Sequence, residues 1–175
     1  VAGYGKLTWQ FAPKWSLFAD VQFRHVGYKA NKYKVDESLN SFNPKAGLTF
    51  FLNEHNDLYV SYARATKEPN RSDYKSYYEA LQDDPNAKKP IAEKLNDIEL
   101  GWRLTTPKVR LNLNGYYMGY EDQLVLSGKL NSTGYPIREN VGKSYRAGVE
   151  VDAMVQLSER WLWSPNVAFS KNINR

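Results

Sequence analysis

Cysteine is absent from this chain of 175 residues, so neither a disulfide framework nor a thiolate metal site can form. Histidine is scarce. His55 falls in a short turn, where a solvated role is expected, and His25 lies near a strand end, where an interfacial role is expected. Neither has an obvious nucleophile or carboxylate partner in the sequence. We therefore predict no enzyme activity, no metal site and no cofactor.

Long apolar runs are also missing, and no stretch of about 18 apolar residues could form a transmembrane helix. A membrane β-strand is not excluded by this absence, because only every second residue of such a strand must be apolar. Lys and Arg outnumber Asp and Glu by 24 to 19, but they are scattered and form no basic helix. Nucleic-acid binding is therefore not expected, and the positive charge suits an anionic membrane or ligand.

The start of the sequence shows no cationic and apolar leader pattern. It begins with VAGYGKLTWQF, which already alternates as a strand does, and it ends with the similar SKNINR. We expect the chain to be a piece of a longer protein.

An alternation of apolar and polar residues with a period of two dominates the chain. The segment 145–157 places every odd-numbered residue on an apolar face, and only Met154 interrupts the polar face. The segment 95–104 alternates in the same way. The pattern predicts about eight strands, at about 2–11, 15–29, 42–52, 57–66, 93–105, 108–126, 139–157 and 160–172.

The connections between these strands fall into two classes that alternate. Short turns carry Pro, Asn and Glu, whereas the segments at about 30–41, 67–92 and 127–138 are predicted to be long loops. In an up-and-down antiparallel sheet, all short turns then lie at one end and all long loops at the other. Outer-membrane barrels have this asymmetry, with short periplasmic turns and long extracellular loops.

Aromatic residues and strand length point in the same direction. Trp and Phe flank the short turns and Tyr lies further up, as in the aromatic girdles of membrane barrels: Trp9, Phe11, Trp15, Trp161 and Trp163, then Tyr116, Tyr117 and Tyr120. Aromatic residues also fill sandwich cores, but sandwich strands are typically about five or six residues long, far shorter than 139–157. We predict an all-β antiparallel up-and-down transmembrane β-barrel.

Several segments resemble, in chain order, the C-terminal part of the barrel of TonB-dependent outer-membrane receptors. They are SFNPKAGLTFFL (41–52), DLYVSYARATKEP (57–69), EKLNDIELGWR (93–103), LNLNGYYMGYEDQLV (111–125) and ENVGKSYRAGVEVDA (139–153). The segment 62–74 is similar to Bacteroidetes members in particular. The resemblance implies that residues 1–175 form part of a barrel of about 22 strands, with no plug domain in this chain.

The resemblance also implies a function. Such a receptor lies in the outer membrane of a Gram-negative bacterium, contacts its lipid, binds a scarce nutrient at extracellular loops, and imports it with energy from the TonB complex through the plug. An iron chelate such as a ferric siderophore, or haem, is the first expectation, and cobalamin and glycans remain alternatives. A complete small eight-stranded barrel with a structural or adhesive role remains a competing interpretation.

Two sets of residues are the candidates for contact. Basic and aromatic side chains near the long loops suit an anionic and partly planar ligand: Arg64, Lys67, Arg71, Tyr74, Tyr77, Tyr78, Tyr135 and Arg138. Charged residues on the polar face are predicted to line the lumen as a mixed-sign wall: Asp97, Glu99, Arg103, Arg110, Arg146, Glu150 and Asp152.

Overall fold

The computed structural model of the chain describes residues 1–31, 35–130 and 134–174, apart from the side chain of Asp83. The chain forms one antiparallel sheet with the strands β1 (Ala2–Ala12), β2 (Trp15–Ala30), β3 (Val35–Asn53), β4 (Asn56–Lys67), β5 (Glu93–Thr105), β6 (Val109–Leu130), β7 (Pro136–Ser158), β8 (Trp161–Trp163) and β9 (Asn166–Asn174). A helix, α1 (Arg71–Asp83), lies between β4 and β5. The all-β up-and-down fold class predicted from the sequence is confirmed.

The strands pair in chain order from β1 to β7, and β8 and β9 share the far edge of β7. The predicted last strand, 160–172, is thus divided in two. Pro165 lies in the gap, where its missing N–H cannot continue the ladder.

Two predicted long loops are mostly strand. β3 begins at Val35 and not at 42, while β6 extends to Leu130 and β7 begins at Pro136. Of the segments 30–41 and 127–138, positions 32–34 and 131–133 lie outside the described residues. In 36–41 the residues that continue the apolar face are Asp36, Ser38 and Asn40, and a strand end that projects into water needs no apolar residues there.

The third segment predicted to be a loop, 67–92, instead contains helix α1, so this part of the prediction is wrong. It is the longest connection of the chain and joins β4 to β5 at the end opposite the short turns. Among the described residues, no helix has the length and apolarity needed to cross a lipid bilayer.

The sheet is open within the described residues, where β1 pairs only with β2 and β9 only with β7. A hydrogen-bonded pair of β1 with the last strand would have indicated a closed eight-stranded barrel. The two free edges instead favour a curved wall whose edges pair with further strands, because bare edges promote aggregation.

One face of the sheet, the apolar face, carries side chains that alternate with those of the polar face along each strand. Across neighbouring strands Leu58 lies opposite Trp102, Trp102 opposite Leu113, and Leu113 opposite Val151. Its side chains are exposed, with Leu100 at 64%. Continuous apolar exposure of this kind marks an interaction surface, which suits lipid.

Aromatic side chains border the apolar face at both ends. At the short turns, the rings of Trp9 and Phe11 have centroids 5.6 Å apart. At the other end, Tyr117 stacks on Tyr145 at 5.7 Å, and the Tyr62 hydroxyl donates to Asn96 Oδ1 at 2.8 Å. Of the predicted upper tyrosines, only Tyr117 faces this way; Tyr116 and Tyr120 lie on the polar face, since even-numbered residues of this part of β6 point there.

Candidate ligand-binding site

Helix α1 begins with a complete capping box. The Asn70 side chain accepts hydrogen bonds from the backbone N–H groups of Ser72 and Asp73, and the Asp73 carboxylate accepts from the Asn70 N–H at 2.8 Å. A cap of this type stabilises a helix by about 1 kcal/mol. The spacing of Tyr74, Tyr78 and Leu81 then presents one apolar side. These two signals are visible in the sequence and predict the helix that a loop assignment missed.

The helix packs against the polar face, at its loop end. Tyr74, which is 2% exposed, stacks on Tyr28 of β2 with centroids 5.4 Å apart and planes 13° apart. Beside this stack, Arg24 Nη1 lies 3.4 Å from Glu68 Oε2. Burial between the helix and the sheet raises the pKa of the Tyr74 hydroxyl to about 12, with the carboxylates of Glu37 and Asp73 adding to the effect.

The segment between α1 and β5 is hydrogen-bonded to β7, on the same polar face of the sheet. The side-chain amide of Asn140 on β7 donates to the carbonyl of Ile91 at 3.0 Å, and its oxygen accepts from the Ile91 N–H at 2.9 Å. Arg138 on β7 lies 3.8 Å from Asp73. The connection therefore spans the polar face from β2 to β7.

A pocket of about 300 Å³ lies between α1 and the β6–β7 hairpin. Lys75 places its ammonium 4.8 Å from the centre of the Tyr135 ring at this pocket. Arg138, Ser72 and Ser76 also line it, together with the carboxylates of Asp73 and Glu79. A cation beside an aromatic ring and two hydroxyls can bind a small polar or anionic group.

The positive charges of this region are largely paired with carboxylates. Lys67 lies 3.3 Å from Glu93, and Lys75 lies 3.6 Å from Glu79. Lys89 also contacts Glu37. The connection is therefore a mixed-charge surface and not an unopposed basic patch, which weakens the argument from charge for an anionic ligand.

The predicted ligand residues fall into three groups in the structure. Lys75 was not among them, although it lies at the pocket together with the predicted Tyr135 and Arg138. Arg71, Tyr77 and Tyr78 belong to the helix, and Lys67 to the end of β4. Tyr74 also belongs to the helix, but it lies on the side that packs against the sheet and is buried. Arg64 projects on the apolar face, opposite Asn96.

The predicted lumen wall shares one face, as the register shows. Asp57 lies opposite Arg103, Arg103 opposite Asn112, and Asn112 opposite Asp152. The Arg103 guanidinium contacts the Asp57 carboxylate at 2.7 Å. The remaining wall residues alternate onto this face: Asp97, Glu99, Arg110, Arg146 and Glu150.

Aromatic rings lie flat over glycines on this wall, a feature that the sequence did not reveal. Tyr59 lies opposite Gly101, where an added Cβ would come within 2.3 Å of the ring. Tyr116 covers Gly148 in the same way, at 2.6 Å. The Arg103 guanidinium stands 4.7 Å from the centre of the Tyr59 ring. Cross-strand pairing alone makes these contacts, so their signal is visible only once the register is known.

An open sheet of long strands, with an exposed apolar face, a charged face and a helix-bearing connection over that face, defines the wall of a membrane β-barrel. The family model described as TonB dependent receptor-like, beta-barrel, matches residues 1–174. The chain belongs to this family, which is a family of outer-membrane transport receptors and not of enzymes.

Among curated relatives, the pesticin receptor of Yersinia enterocolitica is 26% identical over 177 residues, and that of Yersinia pestis is 26% identical over 181 residues. Each match covers 95% of this chain and 25% of the relative. The chain thus spans about a quarter of the length of the curated relatives it matches.

Solved structures show the same fold. The ferric yersiniabactin uptake receptor FyuA from Yersinia pestis has a TM-score of 0.74 at 19% identity, covering 99% of this chain and 27% of that one. The siderophore receptor PirA from Pseudomonas aeruginosa has a TM-score of 0.70 at 19% identity, covering 98% and 31%. At these identities the likeness concerns the fold alone.

Proposed function

We propose that this chain is one side of the barrel wall of an outer-membrane receptor that binds a scarce nutrient on its extracellular side and imports it with TonB-derived energy. The observation that carries the proposal is helix α1, which is anchored over the polar face at the loop end of the strands. A ligand that enters a barrel at this end meets the helix and its pocket before the charged wall below.

An iron chelate, either a ferric siderophore or haem, is the ligand class we propose. Among solved proteins of the same fold, one is described as a ferric yersiniabactin uptake receptor, one as a siderophore receptor and one as a copper transporter. The Lys75–Tyr135 pair offers a cation and a ring to a planar anionic group. Tight binding of a neutral glycan, without affinity for iron chelates, would contradict this assignment.

The binding residues proposed here differ slightly from the set predicted by sequence. Lys75, Tyr135 and Arg138 at the pocket are joined by Lys67, Arg71, Tyr77 and Tyr78 on the approach to it. Tyr74 positions the helix and does not contact the ligand in this proposal, because it is buried. Arg64 is excluded because it projects on the apolar face.

Reversing two charges of this approach tests the ligand class. In a receptor that contains this chain, the double change Lys67→Glu and Arg71→Glu is expected to lower the affinity for a ferric tris-catecholate about tenfold at low salt, and less at high salt. The physical reason is repulsion of the anionic chelate, strengthened because Lys67→Glu leaves Glu93 without its cation. Equilibrium titration at two salt concentrations measures the effect.

The matched control reverses two charges at the other end of the strands. Lys14→Glu and Arg160→Glu lie in short turns and change the net charge by the same amount. This control should leave the affinity unchanged. Equal affinity of both double variants and the parent protein would show that the Lys67–Arg71 region is only a solvated surface.

A further inference from the structure

Two depressions on the apolar face meet at Tyr117. The lower one, of about 910 Å³, is apolar and centres on Gly115, with Leu100 and Val149 on either side in register. The upper one, of about 400 Å³, lies over Gly119 and is lined by tyrosine residues such as Tyr145 together with polar groups that include Lys143 and Asn96. We refer to these two adjoining depressions as the groove, whose lower part is apolar and whose upper part adds charged and polar side chains.

Basic side chains surround the upper end of this groove. Register places Lys94 and Lys143 on either side of Glu121 and Arg64 opposite Asn96, whereas Lys171 lies lower, opposite Ala147 of the apolar depression. In the described part of the chain, none of these four cations takes part in an ion pair. Lys94, Lys143 and Arg64 against the single carboxylate of Glu121 leave a net positive surface where the apolar face ends.

The vertical spacing of the groove matches one leaflet of a bilayer. Gly115 and Glu121 are about six residues apart on β6, which is ~20 Å along the strand and ~14 Å of depth at a tilt of roughly 45°. An apolar band of about 25 Å places Gly115 near the bilayer centre when the lysines lie at the outer interface. The basic groups are at the loop end, which is the extracellular end of such barrels.

We infer that this groove binds a lipid of the outer leaflet that carries a phosphorylated headgroup. Lys94 and Lys143 hold the phosphate, with Arg64 adding to the positive field, and one acyl chain lies over Gly115 between Leu100 and Val149. Charge complementarity selects the anionic headgroup, and the apolar floor selects a lipid over a soluble anion. The site is on the opposite face from the proposed nutrient path, so it can be tested independently of transport.

Lipid binding by the intact receptor tests the inference. The receptor in detergent micelles is titrated with bis-phosphorylated lipid A, and retained lipid is measured by native mass spectrometry. Replacing both Lys94 and Lys143 with Gln is expected to weaken binding about thirtyfold, since each basic group near an anionic surface contributes about a fivefold factor. Gly115→Leu should weaken binding as well, because a Cβ at Gly115 has no neighbouring atom closer than 3.8 Å and the added side chain would occupy the floor of the groove.

The controls separate this site from general attraction between lipid and protein. The pair Lys14→Gln and Arg160→Gln removes two charges at the short-turn end and should retain full binding. Lipid A without phosphates should bind the parent protein as weakly as phosphorylated lipid A binds the double variant. Equal loss in both charge pairs, undiminished binding of dephosphorylated lipid A, or displacement of the lipid by inorganic phosphate at equal concentration would each overturn the inference.

Discussion

Replacing Tyr74 with alanine is expected to lower the affinity of the receptor for a ferric tris-catecholate by up to about a hundredfold. Tyr74 is a fully buried large side chain, and it joins α1 to the polar face through its stack on Tyr28. Removing a buried aromatic side chain costs about 3 kcal/mol, and a binding state that requires the docked helix becomes correspondingly rarer. Equilibrium titration measures the loss.

Two variants and one independent readout make this expectation specific. Tyr74→Phe keeps the stacked ring and should bind as the parent protein does, whereas Gln82→Ala truncates an exposed side chain of the same helix and should have little effect. Limited proteolysis should cleave the connection 68–92 faster in the Tyr74→Ala variant than in the parent protein and the other two variants, because only Tyr74→Ala releases the helix from the sheet. Parent-like affinity together with accelerated cleavage would show that ligand binding does not need the docked helix.

Placing a positive charge on the apolar face is expected to destabilise the inserted protein. Leu100 lies in the middle of that face, between Val60 and Gly115 in register, and is 64% exposed. An arginine near the bilayer midplane costs about 2–4 kcal/mol. Leu100→Arg should therefore lower the urea midpoint of unfolding from lipid vesicles, followed by tryptophan fluorescence.

The matched control introduces the same residue on the polar face. Ala168 on β9 lies opposite Glu150, so Ala168→Arg places a cation beside a carboxylate in a water-accessible position. Opposite charges across strands contribute roughly 0.2–1 kcal/mol of stabilisation, and no loss is expected. Equal destabilisation by the two arginines would contradict the assignment of one face to lipid.

The sequence predicts the part of this fold that alternation controls. Between 93 and 105, one face meets lipid and the other meets water, so the side chains of β5 alternate and its bounds are visible. Alternation is lost where Asp36, Ser38 and Asn40 replace the apolar side chains of one face, and 36–41 is therefore predicted as a loop although it pairs with β2.

The candidate site depends on contacts that local patterns do not encode. The capping residues Asn70 and Asp73 predict that a helix begins, but not that it folds onto the sheet. That position follows from the stack of Tyr74 on Tyr28, which are far apart in sequence. Likewise Lys75 becomes a candidate only because the fold brings Tyr135 beside it.

The central claim is that the two faces of this sheet meet different solvents, and site-directed labelling tests it directly. This chain contains no cysteine, so each single substitution along β5 introduces the only thiol of the chain. In proteoliposomes, thiols at 97, 99 and 103 should react with a water-soluble reagent. Spin labels at 98, 100 and 102 should instead be accessible to oxygen dissolved in the lipid. Alternation of the two accessibilities from residue to residue is the predicted result; equal access of the water-soluble reagent to both sets would contradict the account.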